Sequence, residues 1–156
     1  MNTDSSNKQQ LQFIDTFIRE VQVNYVSSQT PSFKITGPAD AVLFLRGVLP
    51  DNSREHFVAV YLDGSHHVAS YSVLSTGTAN SAYIHPREIF QRAVLSGAVS
   101  IIAAHNHPSG NTKPSTEDLN VTDRIKKVGE LLGIPVLDSL IITNNSAYSI
   151  VTKEAY

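Results

Sequence analysis

The stretch AVSIIAA, residues 98–104, constrains the fold more than any other. A short apolar run without alternation suits a strand buried on both faces. Such a strand lies inside a sheet, and the chain must then supply amphipathic elements to cover that sheet. The run leads directly into HNHPSGNTKPSTED, residues 105–118. Two histidines stand one residue apart, a loop rich in Pro, Ser and Gly follows, and an acidic pair arrives at an apparent helix start.

The remaining segments supply those elements. GPADAVLFLRGVLP (37–50) predicts a short helix ending near Gly47 and Pro50. HFVAVYLDG (56–64) predicts a strand stopped by Asp-Gly, and HHVASYSVLSTGT a second strand completing a meander. HPREIFQRAVLSGA (85–98) predicts a helix with Pro86 near its first turn and Gly97 past its end; Ile89, Phe90, Ala93 and Val94 are expected to form its buried face. A helix from about Ser115 to Leu132 carries Val121, Ile125, Val128 and Leu132 on one side and stops at Gly133. VLDSLIIT and AYSIV flank NNS as two strands joined by a tight turn. This order predicts an α+β fold, a two- or three-layer sandwich around one sheet.

Ahead of it, residues 1–8 read as disordered. Leu11, Ile14, Ile18, Val21 and Tyr25 recur at helical steps across residues 9–27. SSQTPSF reads as a linker, which divides residues 1–34 from a main domain at 35–156. The 9–27 helix is a candidate surface for a partner or a second copy of the chain.

Composition narrows the chemistry. At 156 residues, 41% hydrophobic and 17% charged, the chain reads as one soluble globular domain with a sizeable core. With no cysteine, disulfides and thiolate ligands are excluded, and any metal must be held by His and carboxylates. A net charge of −2 gives no overall footprint for nucleic acid or membrane. No apolar stretch approaches the ~20 residues of a membrane span, and the polar MNTDSSNKQQ lacks a signal-peptide core. The expected location is the cytoplasm.

At a strand end, residues i and i+2 share a side. His105 and His107 would therefore present both imidazoles to one point, with Asn106 facing away. Asp118, in the first turn of the next helix, can aim its carboxylate back across the loop. Three such ligands leave an open position for water, the pattern of catalytic zinc, which would bring the water's pKa towards ~7. A structural reading competes with this one. Ser115-x-x-Asp118 is also a variant of the helix-capping box, and an isolated His-x-His is more often polar packing than a ligand pair. Generic spacing leaves both readings open.

The full spacing is not generic. His105-x-His107, seven residues, Ser115, two residues, Asp118 resembles the JAMM signature of the MPN-domain metalloproteases. AHNHPSGNTKPSTED and GIPVLDSLIIT are more narrowly similar to the RadC-type branch, a resemblance running from about residue 35 to the C-terminus. It implies an MPN/JAB-like, cytidine-deaminase-like sandwich with a central mixed sheet flanked by helices. It also implies zinc held by His105, His107 and Asp118, and a Ser115 hydroxyl placed for the oxyanion. The family's general base is a glutamate just before an early strand; Glu55, in SREHFVAVYLD, matches that place. Glu88 is its rival, disfavoured because its neighbours Ile89 and Phe90 are needed for the core.

The implied activity is amide or isopeptide hydrolysis on a peptide or protein substrate. The alternatives are an MPN scaffold without catalysis and a DNA-repair accessory, since the RadC-type branch carries a DNA-repair label. Longer members of the branch have an N-terminal helix-hairpin-helix region, whereas residues 1–34 offer one helix and a linker, which argues against direct DNA binding. The HNH nuclease motif is dispersed through a ββα unit and does not match a contiguous His-Asn-His. Among the other polar residues, His85 is expected to cap or pack at a helix start, and His56, His66 and His67 to face solvent at strand ends. Asp123 and Asp138 are expected to be structural or solvated.

Overall fold

The computed structural model describes residues 32–77 and 84–156. The expected 9–27 helix and its linker lie outside the described residues, apart from the last of the linker.

The described elements are α1 (Pro38–Val48), β1 (Glu55–Leu62), β2 (Val68–Gly77), α2 (Pro86–Leu95), β3 (Ser100–Asn106), α3 (Thr116–Leu132), β4 (Val136–Ile142) and β5 (Ala147–Ser149). They build one five-stranded sheet in the order β2-β1-β3-β4-β5. β3 is its middle strand, and all seven of its residues are buried. It pairs antiparallel with β1, from Phe57 opposite His105 to Leu62 opposite Ser100, and parallel with β4. The β4 pairing is closed by α3 as a crossover, so the sheet is mixed, as the family resemblance implies.

Strand alternation assigns two cores. Phe57, Ala59 and Tyr61 of β1 and Ile101 and Ala103 of β3 pack against Ile89, Phe90 and Ala93 of α2 and Val121 and Ile125 of α3. Val58, Val60 and Leu62, with Ile102 and Ala104, turn to the other face and pack against Ala41, Val42 and Leu45 of α1. Each buried Val, Leu, Ile or Phe among them contributes about 1.5–3 kcal/mol, so covering both faces of β1 and β3 is the main stabilising term. The sandwich has three layers: α1, the sheet, and the α2–α3 pair. Gly129 lets α3 lie close to the next turn of chain, because a Cβ there would stand 2.6 Å from the Ile134 carbonyl oxygen.

The helix faces are narrower than their periodicity predicts. Val94 is 62% exposed and Leu132 49%, while Val128 is only partly buried. The expectation that Val94 belongs to the buried face of α2 is corrected, whereas Val128 packs against the core. Val94, Val128 and Leu132 line an open apolar groove between α2 and α3. The buried face of α3 instead includes Asp118, Thr122 and Gly129. Periodicity identifies a side of a helix but not how far the neighbouring helix reaches across it.

Candidate metal centre

The site forms where β3 leaves the sheet on its α3 side. His105 is the sixth residue of β3, in register with Phe57, whose ring stacks parallel to its imidazole at 6.3 Å between centroids. The chain stays attached to β4 one step further, where the His107 N–H donates to the Ile142 carbonyl at 2.9 Å. It then turns, the Gly110 N–H donating to the His107 carbonyl at 3.1 Å. Gly110 has φ 78°, a left-handed conformation that suits glycine. The loop returns to α3, whose N-cap is Ser115.

Asp118 and Ser115 form a complete capping box. Asp118 N–H donates to Ser115 Oγ at 3.1 Å, and Ser115 N–H donates to Asp118 Oδ2 at 2.7 Å. The structural reading of this pair is therefore correct, but it does not exhaust the carboxylate. Oδ2 is held by the cap, while Oδ1 lies 3.1 Å from His105 Nε2. The Nε2 atoms of His105 and His107 are 3.0 Å apart, and His107 Nε2 is 3.6 Å from Asp118 Oδ2. Capping thus fixes the rotamer that aims the other oxygen at the histidines.

His105, His107 and Asp118 offer one ligand atom each within 4.8 Å of one another, the only group of three or more such side chains among the described residues. Ligand bonds of about 2.0–2.2 Å to a tetrahedral cation put neighbouring ligand atoms roughly 3.3 Å apart, close to the 3.0 and 3.1 Å that separate His105 Nε2 from His107 Nε2 and Asp118 Oδ1. His107 Nδ1 lies 2.6 Å from the Asn111 carbonyl oxygen. A carbonyl can only accept, so Nδ1 carries the proton and a neutral ring keeps its lone pair on Nε2. The donor set is compatible with a metal ion.

In the metal-free chain these groups pair with one another. Burial by itself would raise the pKa of Asp118, but hydrogen bonds from His105 and His107, the charge of His105 and the Ser115 amide outweigh it. The carboxyl is held well below the usual carboxylate range. His107 is raised above its ordinary value by its bond to Asp118. Desolvation opposes that shift; the Asn111 carbonyl and the charges of Asp118 and Glu55 reinforce it.

Glu55 is the first residue of β1, on the same side of the strand as Phe57. It lies two residues before the last β1–β3 pair, Phe57 with His105, and its charge acts on the His107 ring. Glu88 lies exposed on α2 and does not figure among the groups that shift His107 or Asp118. Ser115 is beside the site, with its hydroxyl donating to Asp118 Oδ2 at 2.7 Å.

One expectation is overturned. His56 is not solvent-facing: it is 1% exposed, because β1 begins at Glu55 and draws it into the sheet. Its Nδ1 lies 3.0 Å from Thr76 Oγ1, and its Nε2 lies 3.4 Å from Asp51 Oδ2. The latter contact is electrostatic, and Nε2 has no hydrogen-bond partner among the described residues. His66 is exposed and His67 half-buried in the β1–β2 turn. His85 caps α2 by accepting from Arg87 N–H at 3.1 Å. Asp123 is exposed and paired with Lys127, whereas Asp138 is buried and accepts from Ser149 Oγ at 2.6 Å. The Asn111 carbonyl escapes sequence reading altogether, since any residue type would supply it.

Comparison with known proteins agrees with this architecture. The family model "RadC-like JAB domain" matches residues 35–155. A UPF0758 protein of Staphylococcus haemolyticus is 40% identical over 132 residues, covering 85% of this chain and 58% of that protein. Another from Rubrobacter xylanophilus is 44% identical over 108 residues, 69% of this chain and 48% of its own length. A third, from Methanosarcina mazei, is 36% identical over 129 residues, 83% and 52% respectively. The chain thus spans about half the length of these relatives. With a family model matched from residue 35 almost to its end, over the same residues that build the sheet and the His-His-Asp group, the chain belongs to the RadC-like JAB domain family.

Proposed function

We propose that the chain is a zinc-dependent hydrolase of the JAMM type that cleaves amide or isopeptide bonds. The observation that carries this reading is the convergence of His105 Nε2, His107 Nε2 and Asp118 Oδ1, with the His107 tautomer set by Asn111. Family membership supports a metal-dependent hydrolase of this kind. Two imidazoles and one carboxylate without thiolate suit zinc, and three protein ligands leave a position open to water and substrate. Bound there, zinc would supply a water acidic near neutral pH and polarise the substrate carbonyl.

The chain's own groups do the rest. Glu55, whose charge acts on His107, takes the proton of the attacking water and returns it to the leaving amine. Asp118 stays ionised because the capping box and the histidines stabilise its charge. Ser115 donates to the carbonyl oxygen as that oxygen gains charge, which requires its hydroxyl to turn from Asp118 Oδ2. No side-chain nucleophile is needed, in keeping with a chain that has no cysteine. The substrate we infer is a peptide or a protein joined through an amide.

The test is cleavage of a pool of internally quenched peptides and lysine-isopeptide conjugates by zinc-loaded chain, beside Glu55→Gln. A general base contributes about 10²–10⁴-fold, so Glu55→Gln is expected to lose at least about 100-fold in rate while keeping its zinc. Zinc-loaded wild type that cleaves nothing, or Glu55→Gln with full activity, would replace this reading with a silent scaffold or a different base.

A further inference from the structure

Asn106 separates the two histidines, and its side chain turns to the opposite face of the sheet. It is 2% exposed, a buried carboxamide at the end of β3. Its Oδ1 accepts from the His56 N–H at 2.7 Å, and its Nδ2 donates to the Arg54 carbonyl at 2.8 Å and to Asn52 Oδ1 at 3.0 Å. The partners themselves fix the orientation of the amide, because a backbone N–H can only donate and a carbonyl can only accept.

Arg54 and His56 are the two neighbours of Glu55. The β1–β3 ladder ends at Phe57 and His105. One step on, where His56 would face Asn106, the two chains are joined by this carboxamide. We propose that Asn106 is a positioning residue for Glu55. It clamps the peptide groups on both sides of the glutamate to the strand that carries His105 and His107, and so fixes the carboxylate relative to them. Side-chain alternation makes this economical: one tripeptide, His105-Asn106-His107, sends two imidazoles to one face and holds the third participant's backbone from the other. A buried carboxamide with all three bonds made is also costly to replace, since removing it strands the buried His56 N–H and leaves the Arg54 carbonyl without this donor.

This inference rests on Glu55 acting beside the metal, so its test separates the two. The side-chain carboxyl carbon of Glu55 is followed by NMR as zinc is added to wild type, Asn106→Ala, Asn106→Asp and the control Asn52→Ala. The expected result is a zinc-induced shift in wild type and in Asn52→Ala, cut by at least half in Asn106→Ala at equal zinc content. Asn106→Asp, which keeps the acceptor for His56 N–H and loses the donor to Arg54, should fall between and guards against misfolding of the alanine variant. Equal shifts in all four would overturn the clamp while leaving the role of Glu55 intact. A zinc-loaded wild type whose Glu55 carbon does not respond would overturn the role of Glu55 and this inference with it. Amide exchange at His56 on metal-free chain tests the clamp alone. It should quicken at least tenfold in Asn106→Ala and stay unchanged in Asn52→Ala; an unchanged rate in Asn106→Ala would overturn the proposal.

Discussion

Two buried histidines, each beside an aspartate, lie on opposite faces of the same sheet end. On the α3 side, His105 is 3.1 Å from Asp118; on the α1 side, His56 is 3.4 Å from Asp51. The pairs look alike in distance and differ in what surrounds them. His105 and Asp118 are joined by His107, and both carboxylate oxygens are engaged, one by the helix cap and one by the ring. His56 has Thr76 at Nδ1 and, at Nε2, only the electrostatic contact with Asp51, whose side chain is 49% exposed and turned to Ser53. A histidine–carboxylate pair is thus not by itself a site. A site needs several lone pairs converging on one point, each held by a bond made elsewhere.

The largest effects should separate the pairs by metal. Asp118→Ala is expected to weaken zinc binding by more than about 100-fold by calorimetric titration, since outer-shell partners alone are worth 10–100-fold. It should also cost roughly 0.5–1 kcal/mol of stability through the lost half of the capping box, the bond from Ser115 N–H. His56→Ala should leave zinc affinity within about twofold. Instead it should lose roughly 2 kcal/mol in denaturant unfolding, from an emptied buried volume and the lost Thr76 contact. Zinc lost from His56→Ala and kept by Asp118→Ala would reverse the comparison.

A smaller effect is pH-dependent. The pKa of His107 is raised in the folded, metal-free chain. Its contribution to stability is therefore fully present below the unfolded value of about 6.5 and lost as pH rises through the folded value. Asp118, lowered, contributes fully throughout that window. Metal-free chain should melt at a lower temperature at about pH 8 than at about pH 6. Zinc-loaded chain should show the opposite trend, because zinc needs the neutral ring. Parallel trends with and without zinc would separate His107 from the metal.

The smallest effect belongs to Asp51. Its pKa is lowered to about 2, chiefly by the Ser53 hydroxyl, then the Ser53 amide, with burial opposing and His56 assisting. Its contribution is present above the ordinary 3.8 and lost as pH falls through about 2. In Ser53→Ala the Asp51 carboxyl should titrate closer to 3.8 by NMR, with zinc binding unchanged. An unmoved titration would make His56 the dominant partner after all.

Much of this was legible in the residues. The unbroken apolar run before His105 marks β3 as central, and Pro86, Gly97 and Gly133 punctuate the helices where the structure does. The His105, His107 and Asp118 grouping follows from two-residue alternation plus a helix start. What stayed hidden depends on neighbours rather than on local pattern. His56 reads as a strand-flanking polar residue until β1 is seen to begin one residue earlier. Val94 and Leu132 carry the right period but face a groove that α2 and α3 leave open. Asn106 reads only as the residue facing away, and its grip on both sides of Glu55 emerges once the β1–β3 register is known.

The most direct test of the central claim is the metal content of purified wild-type chain by mass spectrometry, before and after reconstitution with zinc. This account predicts close to one zinc per chain, displaced by chelator and restored on return of the metal. A chain that stays folded and holds no metal after reconstitution would contradict it, and would leave the convergence of His105, His107 and Asp118 as helix capping and polar packing alone.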